Sequence, residues 1–318
     1  MSNFQCVKEF NRAFDMVSKE PKTYIGYDET NNGIIKINPY KYSRIDVFDK
    51  HSIIRLRLNL IKEETKELND AIEQNDFKET RDAIGDILYV VYGMADVLGI
   101  DIDYIFSNTL HNEIVKYYID NKNNENSNNL FIDKIINGTE NGLKKITNYN
   151  YVKLFLSEII NNDNDLYNNN NNITKLRCEF LTQLNNEYLK LEKECEIETI
   201  YYDTTLKYQM FEQKILTVSQ IIYNLLKLTY ILSVLYNINA DNDFAIIHES
   251  NMSKLCDTEE DAIKTVESYV IKYKNGGSPY DSPYYYELPE LKKWIVKNKS
   301  SGKALKNIKY KEVSFTES

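Results

Sequence analysis

Apolar residues recur at helical spacing from Ile53 to Leu98, and carboxylates interrupt them where core side chains belong. At about 100° per residue, Ile53, Leu56, Leu60, Leu68 and Ala71 form one stripe. Glu64 and Glu67 fall inside that stripe and Glu63 borders it. In the following segment Glu79, Asp82, Asp86, Tyr89 and Gly93 share a narrow face. The rest of that segment (Ile84, Ile87, Leu88, Val90, Val91, Met94, Val97, Leu98) is apolar nearly all round, the pattern of a central core helix. The same spacing predicts helices over 53–74, 78–99, 101–119, 176–197, 203–236 and 259–274. Residues 275–294, NGGSPYDSPYYYELPELKKW, read as an ordered loop followed by a basic tail. No βαβ alternation and no GxGxxG or GxxxxGK phosphate loop is present, so the expected fold is an all-α helical bundle.

Carboxylates on a buried face cost several kcal/mol each unless a cation compensates them. An all-oxygen ligand set suits Mg²⁺, with Mn²⁺ as a substitute, rather than zinc. The plainer alternative is a solvated acidic face with ordinary charge pairs, such as Glu63 near Lys66. Glu64 and Glu67 inside a core stripe, and Asp82 and Asp86 on a helix with almost no polar side, favour the metal reading.

Composition narrows the field. The chain has 318 residues, enough for two ordinary domains, and 42% of them are hydrophobic. A net charge of −9 argues against a general nucleic-acid surface. Four cysteines (Cys6, Cys178, Cys195, Cys256) lack CxxC spacing and read as free thiols of a reducing compartment. The N-terminus MSNFQCVKEF has no apolar signal core, and no run approaches the roughly 18 apolar residues of a membrane span. The expectation is a cytoplasmic protein with no membrane partner. Polar tracts at 121–129 and 161–172 carry too few apolar residues to pack and read as loops or insertions.

A faint internal repeat runs through the chain. ILYVVYGMADVLGI (87–100) resembles IIYNLLKLTYILSV (221–234), and residues 99–116 resemble 237–254, pairing Phe106 with Phe244 and Lys116 with Lys254. GLKKITNYNY (142–151) echoes GKALKNIKYK (302–311), and CVKEF (6–10) echoes YVKLF (151–155). Four matches in one order favour a duplication with units 1–148 and 149–318. In the second unit Gln213, Leu216 and Gln220 replace Glu79, Asp82 and Asp86, and the acids of the preceding helix survive only as Glu187. The second unit instead carries HESNMSKL at 248–255.

EETKE (63–67) followed by ETRDAIGDILYVVYG (79–93) resembles the all-α nucleoside triphosphate pyrophosphohydrolases, which include MazG-like proteins, dimeric dUTPases and phosphoribosyl-ATP pyrophosphohydrolases. SNMSKL (250–255) and GKALK (302–306) extend the resemblance towards the MazG-like branch and along the whole chain. Ala83 stands three residues before Asp86, so the family's ExxD spacing falls on Glu79 and Asp82, one turn upstream. The resemblance implies two tandem, diverged MazG-like repeats forming a pseudo-dimer, with further self-association open. It implies Mg²⁺ held by Glu64, Glu67, Asp82, Asp86 and Glu79, with Glu63 as the base that orients water. Asn251, Lys254, Lys303 and Lys306 are the expected phosphate-binding groups, and the substrate a nucleoside triphosphate such as dUTP or dCTP, cut to the monophosphate and pyrophosphate. A degenerate module that binds nucleotide without cutting it, or a helical interaction module, is the alternative.

Overall fold

The computed structural model describes residues 1–14, 51–121, 147–162, 170–196 and 204–315. Most of both polar tracts lies outside these residues. Among the described residues the chain forms α1 (Asn3–Ala13), α2 (His51–Glu73), α3 (Phe77–Val97), α4 (Ile102–Asn121), α5 (Asn148–Asn162), α6 (Asn170–Glu196), α7 (Thr204–Leu235), α8 (Ala240–Met252) and α9 (Glu259–Lys274). A short antiparallel hairpin, β1 (Pro283–Leu288) and β2 (Lys293–Asn298), follows. The all-α expectation holds, with one correction. Part of the expected loop at 275–294 pairs as strands, in a register from Pro283 opposite Asn298 to Leu288 opposite Lys293.

Local chemistry sets the helix that matters most. Asn75 takes a positive φ of 54° to end the α2 turn. The Asp76 side chain then caps α3 by accepting from the Glu79 backbone N–H at 3.0 Å. From Ala83 to Asp96, α3 is buried at almost every position. It packs against α1, α2, α7 and α8, while α7 packs against α3, α4, α5 and α6. One hydrophobic core runs from Phe4 to Ile295 without a break at residue 149. Gly85 permits a close approach within it: a Cβ there would stand 2.1 Å from Ile247 Cδ1 on α8.

On α2 the core stripe is displaced from the expected one. Ile54, Leu58, Ile61, Leu68 and Ala71 are buried, together with Arg57 and Thr65. Ile53, Leu56 and Leu60 are only half-buried. α2 meets α3 on one side and borders a cavity on the next, so the sequence wheel averaged two faces. A second correction concerns membrane-like runs. Gln213–Leu235 is long and apolar enough to span a bilayer, yet 72% of its apolar window is buried inside the fold as a core helix. After β2 the tail returns to the bundle. Asn307 Nδ2 donates to the carbonyls of Ser253 (2.8 Å) and Leu255 (2.6 Å), tying the tail to the end of α8.

Candidate functional site

A cavity of about 250 Å³ opens between α2, α3, α8 and the tail. Seven residues expected at the site line it: Glu64 from α2, Asp82 and Asp86 from α3, Asn251 and Lys254 around the end of α8, and Lys303 and Lys306 from the tail. The α3–α8 contact that aligns these groups is fixed by Arg81, which donates to both oxygens of the buried Asp243 at 2.8 and 2.7 Å. The Arg81 guanidinium also lies 4.4 Å from the ring centroid of Phe315 in the tail.

The other three predicted residues lie outside the lining. Glu63 is exposed, its carboxylate 3.4 Å from Lys303 Nζ, while Lys66 pairs with Asp70 rather than Glu63. Glu67 is exposed, although its charge is felt at Glu64, Asp82 and Asp86. Glu79 is exposed in the first turn of α3, where Asp76 and Glu79 stand at capping-box spacing. Gln213, Leu216 and Gln220, which the sequence alignment of the expected repeat sets against Glu79, Asp82 and Asp86, are all exposed.

Burial and mutual repulsion disfavour ionisation across the acid cluster. Burial, then repulsion from Asp86, Glu67 and Glu63, pushes the Glu64 carboxyl up to about 9, with Lys303 opposing. Burial and the neighbouring Asp82 push Asp86 up to about 7, against Lys254 and Lys306. Asp82 is raised by burial and by Glu79 and Glu67, and its Oδ1 is buried with no hydrogen-bond partner. Lys254 is pulled down to about 8 by burial, although Asp86 favours its charge; its Nζ donates to Asn251 Oδ1 at 2.5 Å.

Half-buried carboxylate oxygens and an orphaned Asp82 Oδ1 fit a hard divalent cation. Among the described residues no three acids, histidines or cysteines are gathered closely enough to enclose one by themselves.

Sequence reasoning missed Arg57. It is 2% exposed and lines the cavity; burial pulls it down to about 10, with Asp96 opposing, so it remains a cation. Its Nη2 donates to Asn11 Oδ1, and Asn11 Nδ2 donates to Asp96 Oδ2 at 2.8 Å. Gly93, the last residue of YVVYG, makes room for it: a Cβ there would meet Nη1 at 2.4 Å. One signal was available, since Arg57 precedes Glu64 by a heptad and falls within about 20° of it on the wheel. Tyr89 also lines the cavity, stacked on Phe244 at 5.3 Å with its hydroxyl 3.1 Å from His248 Nδ1.

Within this all-α bundle, carboxylates of two consecutive helices face lysines across one cavity. Residues 40–112 match the phosphoribosyl-ATP pyrophosphohydrolase family. The chain is also 30% identical over 317 residues to "Uncharacterized protein L479" of Acanthamoeba polyphaga mimivirus, covering 99% of this chain and 95% of that protein. The chain belongs to the all-α, MazG-like nucleoside triphosphate pyrophosphohydrolase type of family. No solved structure matches it.

Proposed function

We propose that the protein is a Mg²⁺-dependent nucleoside triphosphate pyrophosphohydrolase, releasing a monophosphate and pyrophosphate. The observation that carries this reading is the meeting in one cavity of Glu64, Asp82 and Asp86 with Asn251, Lys254, Lys303 and Lys306, from opposite ends of the sequence. One or two of Glu64, Asp82 and Asp86 would hold the metal together with substrate phosphates, with Glu67 close enough to add negative charge. Bound there, Mg²⁺ supplies charge neutralisation at the phosphates and a more acidic water. Lys254 and Lys303 bind phosphate oxygens, and Asn251 orients Lys254. Glu63 at the rim accepts a proton from the attacking water once Lys303 turns from it to the substrate.

The packing supports one composite site per chain. α8 of the second unit covers α3 of the first, while α4 of the first covers α7 of the second, the exchange a fused pseudo-dimer requires. A chain ending at residue 150 keeps every predicted carboxylate but loses α7, α8 and the tail. We expect it to release no pyrophosphate and to show no cooperative melting; turnover by that fragment would remove the composite site.

The decisive experiment is pyrophosphate release from a panel of ribo- and deoxyribonucleoside triphosphates with Mg²⁺, Mn²⁺ or EDTA. Metal-dependent release from at least one substrate, lost in Glu64→Ala, is the expected result. Nucleotide binding with no release from any of them would replace the enzyme by a binding module.

A further inference from the structure

The end of the cavity away from the carboxylates is built as carefully as the acidic end. Arg57 precedes Glu64 by two helical turns, about 10 Å along α2. α3 runs back alongside, bringing Asp86 within the field of Glu64 and Gly93 beneath Arg57. The cavity therefore has carboxylates at one place and, about 10 Å away along α2, Arg57, and its lining also includes Phe10, Leu56, Leu60, Tyr89 and Val90.

The arginine is held rather than free to wander. Asn11 takes Nη2, Gly93 leaves room for Nη1 where a Cβ would collide with it, and Nε is buried with no acceptor among the described residues. Leaving a buried donor unmade costs about 1–3 kcal/mol, more for a charged group. A ligand that supplies an acceptor there recovers that loss, and one that presents another donor cannot. Arginine offers donors only. Apolar and aromatic side chains in the same cavity lining suit a flat ring.

We propose that the arginine end receives the nucleobase and that Arg57 selects bases with a carbonyl on the edge remote from the sugar. Uracil, thymine, guanine and hypoxanthine carry that carbonyl; cytosine and adenine carry an amino group, which sets donor against donor. The inference rests on the pyrophosphohydrolase reading for where the phosphates lie: at the acidic end, two turns from Arg57, with the nucleoside spanning the distance.

Two substrate pairs that differ only in this group test it: dUTP against dCTP, and dITP against dATP. Cleavage is followed by pyrophosphate release with Mg²⁺, and binding by calorimetry with the non-hydrolysable α,β-imido forms of the same nucleotides. The expected result is a preference of about 10–100-fold for the carbonyl member of a pair, in kcat/KM and in Kd. In Arg57→Gln, whose amide offers both an acceptor and a donor, the ratio should fall towards one. Gly93→Ala keeps the arginine but drives its guanidinium aside, and should lower the ratio too if Arg57→Gln does not fold. A wild-type ratio near one or inverted overturns the proposal, as does a ratio unmoved in both folded variants. Carbonyl-selective binding without cleavage would instead retire the pyrophosphohydrolase reading and leave the base preference standing. Cleavage without selectivity would do the reverse.

Discussion

Asp86→Asn is expected to abolish metal-dependent pyrophosphate release and, in the same protein, to raise the melting temperature measured in EDTA. The activity loss follows from removing one oxygen ligand at the point where phosphate charge is neutralised. A metal contribution of several kcal/mol corresponds to about 10³-fold in rate. The stability gain follows from burial. In the fold Asp86 is pushed from 3.8 up to about 7, so between those values the folded chain holds a proton that the unfolded chain has released. Stability therefore falls as pH rises through that window, and above about 7 the full penalty of a buried carboxylate is present. Asparagine removes the charge, so the variant should gain most at pH 8, less at pH 5, and roughly 2–4 °C for each kcal/mol relieved. Mg²⁺ should then raise the melting point of the wild type and leave that of the variant almost unchanged. Scanning calorimetry at the two pH values, with and without Mg²⁺, makes the comparison. A variant that melts lower than wild type at pH 8 in EDTA would show that the carboxylate is a structural partner and not a ligand waiting for its ion.

Lys254→Met should cost about 10²–10³-fold in kcat/KM while leaving the bundle folded. The methionine chain is of similar length and replaces the lysine stem, which lies with its Nζ 5.9 Å from the Phe10 ring centroid. What disappears is the lining cation with the strongest hold on Asp86, ahead of Lys306. Buried charge-assisted contacts of this kind are worth about 2–5 kcal/mol when one partner is truncated. The pH profile separates a substrate-binding role from a packing role. Lys254 is drawn from 10.5 down to about 8, so its charge, and with it activity, should be lost as pH rises through about 8. In Lys254→Met that alkaline limb should be gone. An unchanged limb would assign it to another group.

Much of this site was legible before any fold was known, and the reasons differ by residue. Asp82, Asp86, Tyr89 and Gly93 stood out because the rest of α3 is apolar all round, leaving one narrow face for anything polar. Asn251, Lys254, Lys303 and Lys306 came from motif resemblance alone; nothing in their local spacing marks them, since α8 and the tail reach the cavity only through tertiary packing. Glu67 and Glu79 share helical faces with the lining acids but fall beyond the reach of α8 and the tail, and a wheel cannot show where a covering element stops. Arg57 was overlooked because an arginine within a stripe reads as a solvated break, whereas here Asn11 and Asp96 meet it inside the core. The β1–β2 hairpin was hidden for the opposite reason. Pro283 opens β1 and Pro289 follows it, and the burial of β1 follows no clean alternation.

The unbroken core has a consequence for how the chain is made. α3 is complete at Val97, but α8, which covers its cavity side, ends only at Met252. At the roughly 5–20 residues per second of protein synthesis, that gap lasts on the order of ten to thirty seconds. Throughout it Gly85 and its apolar neighbours lack the partner that buries them. The nascent first half is thus a sticky, unfinished surface on the ribosome, and the yield of soluble protein should depend on chaperones that shield it until the second half emerges.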